Sequence, residues 1–150
     1  YKLIIPAAQG PFRSKEDGST HSDTIQVNVT GNQSLDIEVL PYYMIRTPKF
    51  QLANGKVSAT CKLEQILTGT DGKSIEQVVL YLNKTQFVDK KNNIKDAAIN
   101  GGDITDLNNV SVSADVPSIT PTQSYVFARL GVKISGVEDM IFTPVEKIQL

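Results

Sequence analysis

Apolar and polar residues alternate along most of this chain, and the dominant period is two. Ile25, Val27 and Val29 are separated by Gln26 and Asn28. After Thr30, Gly31, Asn32 and Gln33, which supply turn chemistry, Leu35, Ile37 and Val39 resume the alternation against Asp36 and Glu38. Residues two apart on a strand point the same way, so these segments predict a hairpin with one apolar face. Val57, Ala59, Cys61 and Leu63, spaced by Ser58, Thr60 and Lys62, form the cleanest half-buried strand. The stretch 44–52 predicts another strand, and Pro48 within it suits an edge position because proline has no N–H to give a ladder. Asn54-Gly55 between the two favours the positive φ angles of a type I′ turn.

Residues 75–82 read two ways. Ile75, Val78, Val79 and Leu82 have helical spacing, and Ser74 with Gln77 fits a capping box. The run Val78-Val79-Leu80-Tyr81-Leu82 also suits a strand buried on both faces, and its short length among strands favours that reading. Residues 89–109 are polar, with Asn92-Asn93 and Gly101-Gly102, and predict a long connecting excursion. Val110, Val112 and Val116 mark a short strand. The stretches 125–134 and 140–150, joined by a turn at Ser135-Gly136, close the chain. The expected class is an all-β sandwich with no helix.

At 150 residues there is room for one good core, or for one domain and part of a second. The chain begins mid-pattern at Tyr1-Lys2-Leu3-Ile4-Ile5, as though a strand were under way, which predicts a mature or truncated piece. Fifteen basic and 16 acidic residues give no clustered basic face, which argues against nucleic acid as a partner. No apolar run approaches the ~18–20 residues that cross a bilayer as a helix. One cysteine leaves the redox compartment open.

The catalytic inventory is thin. His21, the sole histidine, sits in a polar stretch, and Cys61 alternates with core residues, so neither nucleophilic catalysis nor an imidazole metal site is expected. Asp103 and Asp106, with Asn108 and Asn109, offer oxygen ligands for calcium, but the spacing matches no defined loop and these are ordinary turn formers. No catalytic residue, metal ligand or cofactor is assigned. Aromatic rings bear on sugar binding, since a flat ring stacks on a pyranose; Tyr42, Tyr43 and Phe87 are the candidate binding residues, with Tyr81 behind them. Four Asn-x-Ser/Thr sequons, at Asn28, Asn32, Asn83 and Asn109, point either to a glycosylated eukaryotic ectodomain or to a composition rich in Asn, Ser and Thr.

The segment Ile119-Thr120-Pro121, followed by Tyr125-Val126-Phe127-Ala128-Arg129-Leu130, resembles the E–F corner and strand F of fibronectin type III domains. The resemblance implies a tyrosine corner, with the Tyr125 ring in the core, its hydroxyl bonded back upstream, and Phe127 and Arg129 on the same row. The usual core Trp is missing, so Cys61 or Leu63 must fill that space.

Gly10-Pro11-Phe12 and the run Asp36-Ile37-Glu38-Val39-Leu40-Pro41-Tyr42-Tyr43-Met44-Ile45, with the sandwich after them, resemble a wider group. This is a Bacteroidetes lipoprotein family of unknown function that accompanies SusC/SusD-type glycan-uptake systems. The resemblance implies that residues 1–40 are the last strands of a transthyretin-like (carboxypeptidase regulatory-like) domain and 41–150 an immunoglobulin- or fibronectin-like sandwich. It also implies a place at the cell envelope, as an outer-membrane lipoprotein, with outer-membrane uptake proteins or glycan as partners. Asp23-Thr24-Ile25 resembles the acceptor pattern of Bacteroidetes O-glycosylation, with Thr24 as acceptor. The expected function is therefore non-catalytic binding or scaffolding, with a purely structural spacer or a glycosylated adhesion ectodomain as alternatives.

Overall fold

The computed structural model describes residues 1–6, 8–15 and 24–150. Its N-terminal part holds two small antiparallel ribbons. β1 (Lys2–Ile4) pairs with β3 (Thr24–Gln26), and β2 (Phe12–Ser14) pairs with β4 (Val39–Pro41). The hairpin predicted within 25–39 does not form. Its two apolar segments find partners upstream instead, and Val29 and Leu35 stay 44% and 50% exposed.

The rest is a sandwich of two antiparallel sheets. One has the order β5 (Tyr43–Ala53), β6 (Lys56–Gln65), β9 (Val110–Asp115). The other runs β8 (Lys95–Asn100), β7 (Ile75–Asn83), β10 (Tyr125–Ile134), and then a last strand split into β11 (Met140–Phe142) and β12 (Glu146–Gln149), both paired with β10. The β5–β6 hairpin closes through Asn54 and Gly55 at φ +50° and +74°, the left-handed geometry expected of Asn-Gly. Pro48 does lie on an edge strand, inside a bulge where Thr47 adopts φ +46° and the register with β6 shifts.

Residues 75–82 are strand. β7 lies between β8 and β10, where a run apolar on both faces is what the position requires. The predicted excursion at 89–109 instead contains β8, which pairs with β7 from Gln77↔Asn100 to Leu82↔Lys95. Lys-Asp-Ala-Ala-Ile-Asn has little strand character alone, so its conformation follows from the ladder β7 offers.

The core between the sheets is built from alternating inward positions. Val57, Ala59, Cys61 and Leu63 on β6 face Val78, Leu80 and Leu82 on β7 and Val126, Ala128, Leu130, Val132 and Ile134 on β10. Cys61 and Leu63 thus occupy interior space, as expected of a sandwich without Trp. The tyrosine corner is not present. Residues 126–134 place their even-numbered members inside, so Tyr125, Phe127 and Arg129 share a row as predicted, but on the outer face of the sheet. Both phases of β10 carry apolar groups, and the fully aliphatic one takes the core.

Candidate functional site

That outer face needs its own cover, because β7 turns Val79 and Tyr81 toward it. The chain after β7 folds back to supply it. Val88 lands on Val79 and Tyr81, all three at most 3% exposed, and Phe127, Met140, Phe142 and Val145 pack around them. Burying those rings removes large apolar areas from water, which fixes the loop over the sheet.

A buried side chain anchors the loop from beneath. Asn83, 8% exposed at the end of β7, donates through Nδ2 to the Phe87 carbonyl (2.6 Å), the Asn92 carbonyl (3.2 Å) and Thr85 Oγ1 (3.4 Å). Its Oδ1 accepts from the Lys84 amide at 2.9 Å. Ile94 N–H then donates to the Leu82 carbonyl and returns the chain to the ladder. Held by these bonds, the loop turns the Phe87 ring outward, 69% exposed.

Asp89 caps the turn that follows. Its carboxylate accepts from the amides of Lys91 and Asn92, both at 2.8 Å, and from Asn92 Nδ2. The Asn92 side chain chiefly, then those amides, holds the Asp89 carboxyl below the usual carboxylate range, so it stays ionised. Arg129 closes the surface between this loop and the last strand. Its Nε donates to the Thr143 carbonyl at 2.8 Å, Nη1 to the Val88 carbonyl at 3.3 Å, and its guanidinium lies 4.4 Å from the Phe142 ring centroid. The Tyr81 hydroxyl donates to Met140 Sδ at 3.6 Å, and burial first, then Asp96 and Asp89, raises its pKa.

Beside this cluster lies a cleft of about 460 Å³. Met140 and Phe142 form its apolar part, Asp89 and Asn92 one polar wall, and Glu138 and Asp139 the other, with Lys90 and Lys91 at the loop tip. The second wall is braced. Lys133 Nζ donates to the Val137 and Glu138 carbonyls, and the Glu138 and Asp139 amides donate to the Ala8 and Gln9 carbonyls at 2.7 and 2.8 Å. An aromatic floor between hydrogen-bonding walls can hold a ligand with an apolar face and a polar rim. Farther along β10, the half-buried rings of Tyr125 and Phe127 meet edge to face at 5.6 Å, with Lys147 Nζ 4.0 Å from the Tyr125 centroid.

Of the residues singled out from sequence, Phe87 alone presents an open ring here. Tyr42 and Tyr43 are both interior, 1% and 4% exposed, which corrects their assignment as surface binding residues. The chain bends at Tyr42 between β4 and β5, so the alternation that would send one ring outward is broken and both enter the core. The Tyr43 hydroxyl donates to the Lys73 carbonyl at 3.0 Å. Asp106 accepts from the backbone and side chain of Asn108, and Asp103 from Asn100 Nδ2, as turn formers do. Among the described residues no three His, Cys, Asp or Glu side chains gather as metal ligands would. Thr24 opens β3 opposite Ile4, while Asp23 and His21 lie outside the described residues. Asn83, one of the four sequons, is buried with its amide engaged. Arg129, Phe142 and the Glu138–Asp139 wall were not singled out from sequence. The signal for them is indirect: a two-faced run at 78–82 demands a covering layer on the outer face.

The family model of the domain of unknown function DUF3823_C matches residues 43–147. The chain belongs to this family. The match spans the strands from β5 to β11 and the start of β12, and so includes the loop, the cleft and the aromatic row. Among solved structures, a DUF3823 family protein from Bacteroides ovatus is 25% identical with a TM-score of 0.74, over 100% of this chain and 73% of that one. A DUF3823 family protein from Parabacteroides merdae is 26% identical with a TM-score of 0.73, over 99% of this chain and 70% of that one. A Bacteroides uniformis protein described as a "putative carbohydrate binding protein" is 18% identical with a TM-score of 0.63, over 95% and 70% respectively, and shares the fold. Among curated proteins none matches.

Proposed function

We propose that this DUF3823 domain is a non-catalytic glycan-binding accessory of the cell envelope, working beside outer-membrane proteins of a SusC/SusD-type uptake system. The observation that carries the binding part is Phe87. A large ring left 69% exposed contributes nothing to the core, yet hydrogen bonds from a buried Asn hold its backbone in place. Such a ring stacks on a sugar with little ordering cost, and the neighbouring cleft supplies carboxylate and amide partners for hydroxyls. The description of the Bacteroides uniformis relative points the same way. The association with uptake proteins rests on the sequence resemblance.

Phe87→Ala tests the binding part. Glycan-array hits of the native chain, followed by calorimetry, are expected to weaken about tenfold or more, equivalent to about 1.4 kcal/mol. Its urea midpoint is expected to stay unchanged, since the ring is exposed. A blank array with the native chain would leave the spacer reading, which Arg13 favours: this β2 residue pairs with Asp71 of the sandwich and ties the β2–β4 ribbon to it. Polysaccharide hydrolysis lost on changing one carboxylate of the cleft would overturn the non-catalytic assignment.

A further inference from the structure

We infer that residues 8–13 act as a strap that sets one wall of the cleft, so that seating of the β2–β4 ribbon and opening of the cleft share one equilibrium. Gly10-Pro11-Phe12, which the binding reading leaves unused, lies in the middle of this stretch. At its far end Arg13 pairs with Asp71, both side chains largely withdrawn from solvent at 17% and 27% exposure. Pro11 is buried, and its carbonyl accepts from the Tyr42 amide at 3.0 Å, where the chain passes from the ribbon into the sandwich. Gly10 lies against the Phe12 ring. A Cβ there would come within 2.9 Å of the ring, so the glycine lets the chain fold tightly back before it reaches the cleft.

The near end of the strap meets the turn between β10 and β11. Val137, 2% exposed, roots that turn in the core. Beyond it the wall residues are gripped from two sides. The Val137 and Glu138 carbonyls accept from Lys133 Nζ, which belongs to β10, whereas the Glu138 and Asp139 amides donate to the Ala8 and Gln9 carbonyls, which belong to the strap. A backbone amide offers one proton, so release of the strap leaves both of these donors to water. Met140 follows directly and forms part of the cleft floor, so a shift of the wall reaches the floor through the chain itself. The coupling is reciprocal by linkage. A ligand that bridges the Asp89–Asn92 wall to the Glu138–Asp139 wall favours the seated strap, and anything that draws the ribbon away weakens that bridge. None of this depends on what the ligand is.

Amide hydrogen exchange and the Met140 methyl resonance, read on the native chain and on Arg13→Ala, test the strap. In Arg13→Ala the Tyr42, Glu138 and Asp139 amides are expected to exchange about fivefold faster, all three together, because the ion pair no longer opposes local opening. The amides of β6 and of the β7–β10 ladder should keep their rates, and the Met140 methyl resonance should move. Arg13→Lys, which keeps the charge, should give a smaller acceleration at the same three amides. A faster Tyr42 amide with Glu138 and Asp139 unchanged would show that the strap loosens without the wall, and would overturn the inference. So would unchanged exchange at all three, or equal acceleration throughout β6 and β10, which marks global unfolding. A Met140 resonance that stays in place while the three amides speed up would confine the effect to the turn and remove its link to the cleft.

Discussion

Replacing Asn83 by Ala probes how the outer face is held together. The change removes the Nδ2 donor to the Phe87 and Asn92 carbonyls, at 2.6 and 3.2 Å, and the Oδ1 acceptor for the Lys84 amide at 2.9 Å. Each such bond contributes about 1 kcal/mol net, and the stranded backbone groups are part-buried, so the expected loss is about 2–3 kcal/mol. For a domain of this size that corresponds to a melting point roughly 4–12 °C lower. Urea unfolding gives the global number. Hydrogen exchange gives the local one, with protection expected to fall across residues 84–94 and to persist in β6 and β10. Asn83→Asp adds a check of sign. A carboxylate in this site faces two carbonyl oxygens, so its folded pKa is raised above the unfolded ~3.9. The variant is therefore least stable at neutral pH and regains stability as pH falls through the raised value. A loss below about 0.5 kcal/mol in Asn83→Ala with unchanged protection at 84–94, or a flat pH response of Asn83→Asp relative to the native chain, would refute the view that this residue organises the loop.

Further outcomes follow from the core and from one close backbone approach. Burial pushes the Cys61 thiol up to about 11 from 9.0, so the native chain should react with iodoacetamide at pH 8 about a hundredfold more slowly than unfolded chain. Because the folded value is the higher one, Cys61 should also lower stability as pH rises between about 9 and 11; rapid native labelling would contradict its placement. Gly101→Ala should cost about 3 kcal/mol in urea unfolding, because a Cβ there would lie 1.8 Å from the Ile75 carbonyl oxygen and the backbone must move; a loss under about 0.5 kcal/mol would show that this approach is not tight.

How much of this was readable in the residues depends on whether a local pattern had one solution. Asn54-Gly55 between two alternating segments allows little but a tight hairpin, and the hairpin is there. Val78 to Leu82 reads as strand once its neighbours are strands, since only a central position buries both faces. Elsewhere the pattern was degenerate. The apolar positions of 25–39 fit a local hairpin or two separate ribbons, and the partners that decide it, β1 and β2, are distant in sequence. β10 is apolar in both phases, so alternation could not say whether Tyr125 or Val126 faced inward. The cleft was least legible, because its walls come from residues 89–92 and 138–142 and meet only through a loop folding back over β7. The ring type of Phe87 is visible in the sequence; its exposure depends on the Asn83 bonds that no spacing rule describes.

The two interrupted outer strands bear on behaviour at high concentration. β5 carries Pro48 in its bulge, and the last strand breaks between β11 and β12, where the Thr143 hydroxyl, accepting from the Leu130 amide at 3.1 Å, precedes Pro144. Both prolines line the same seam of the sandwich, a groove of about 420 Å³ shared with Phe50 and Glu146. Neither strand can offer an unbroken row of amides there, so a neighbouring molecule finds no template for lateral growth along that flank. Crowded copies can brush past one another on this side without seeding fibres.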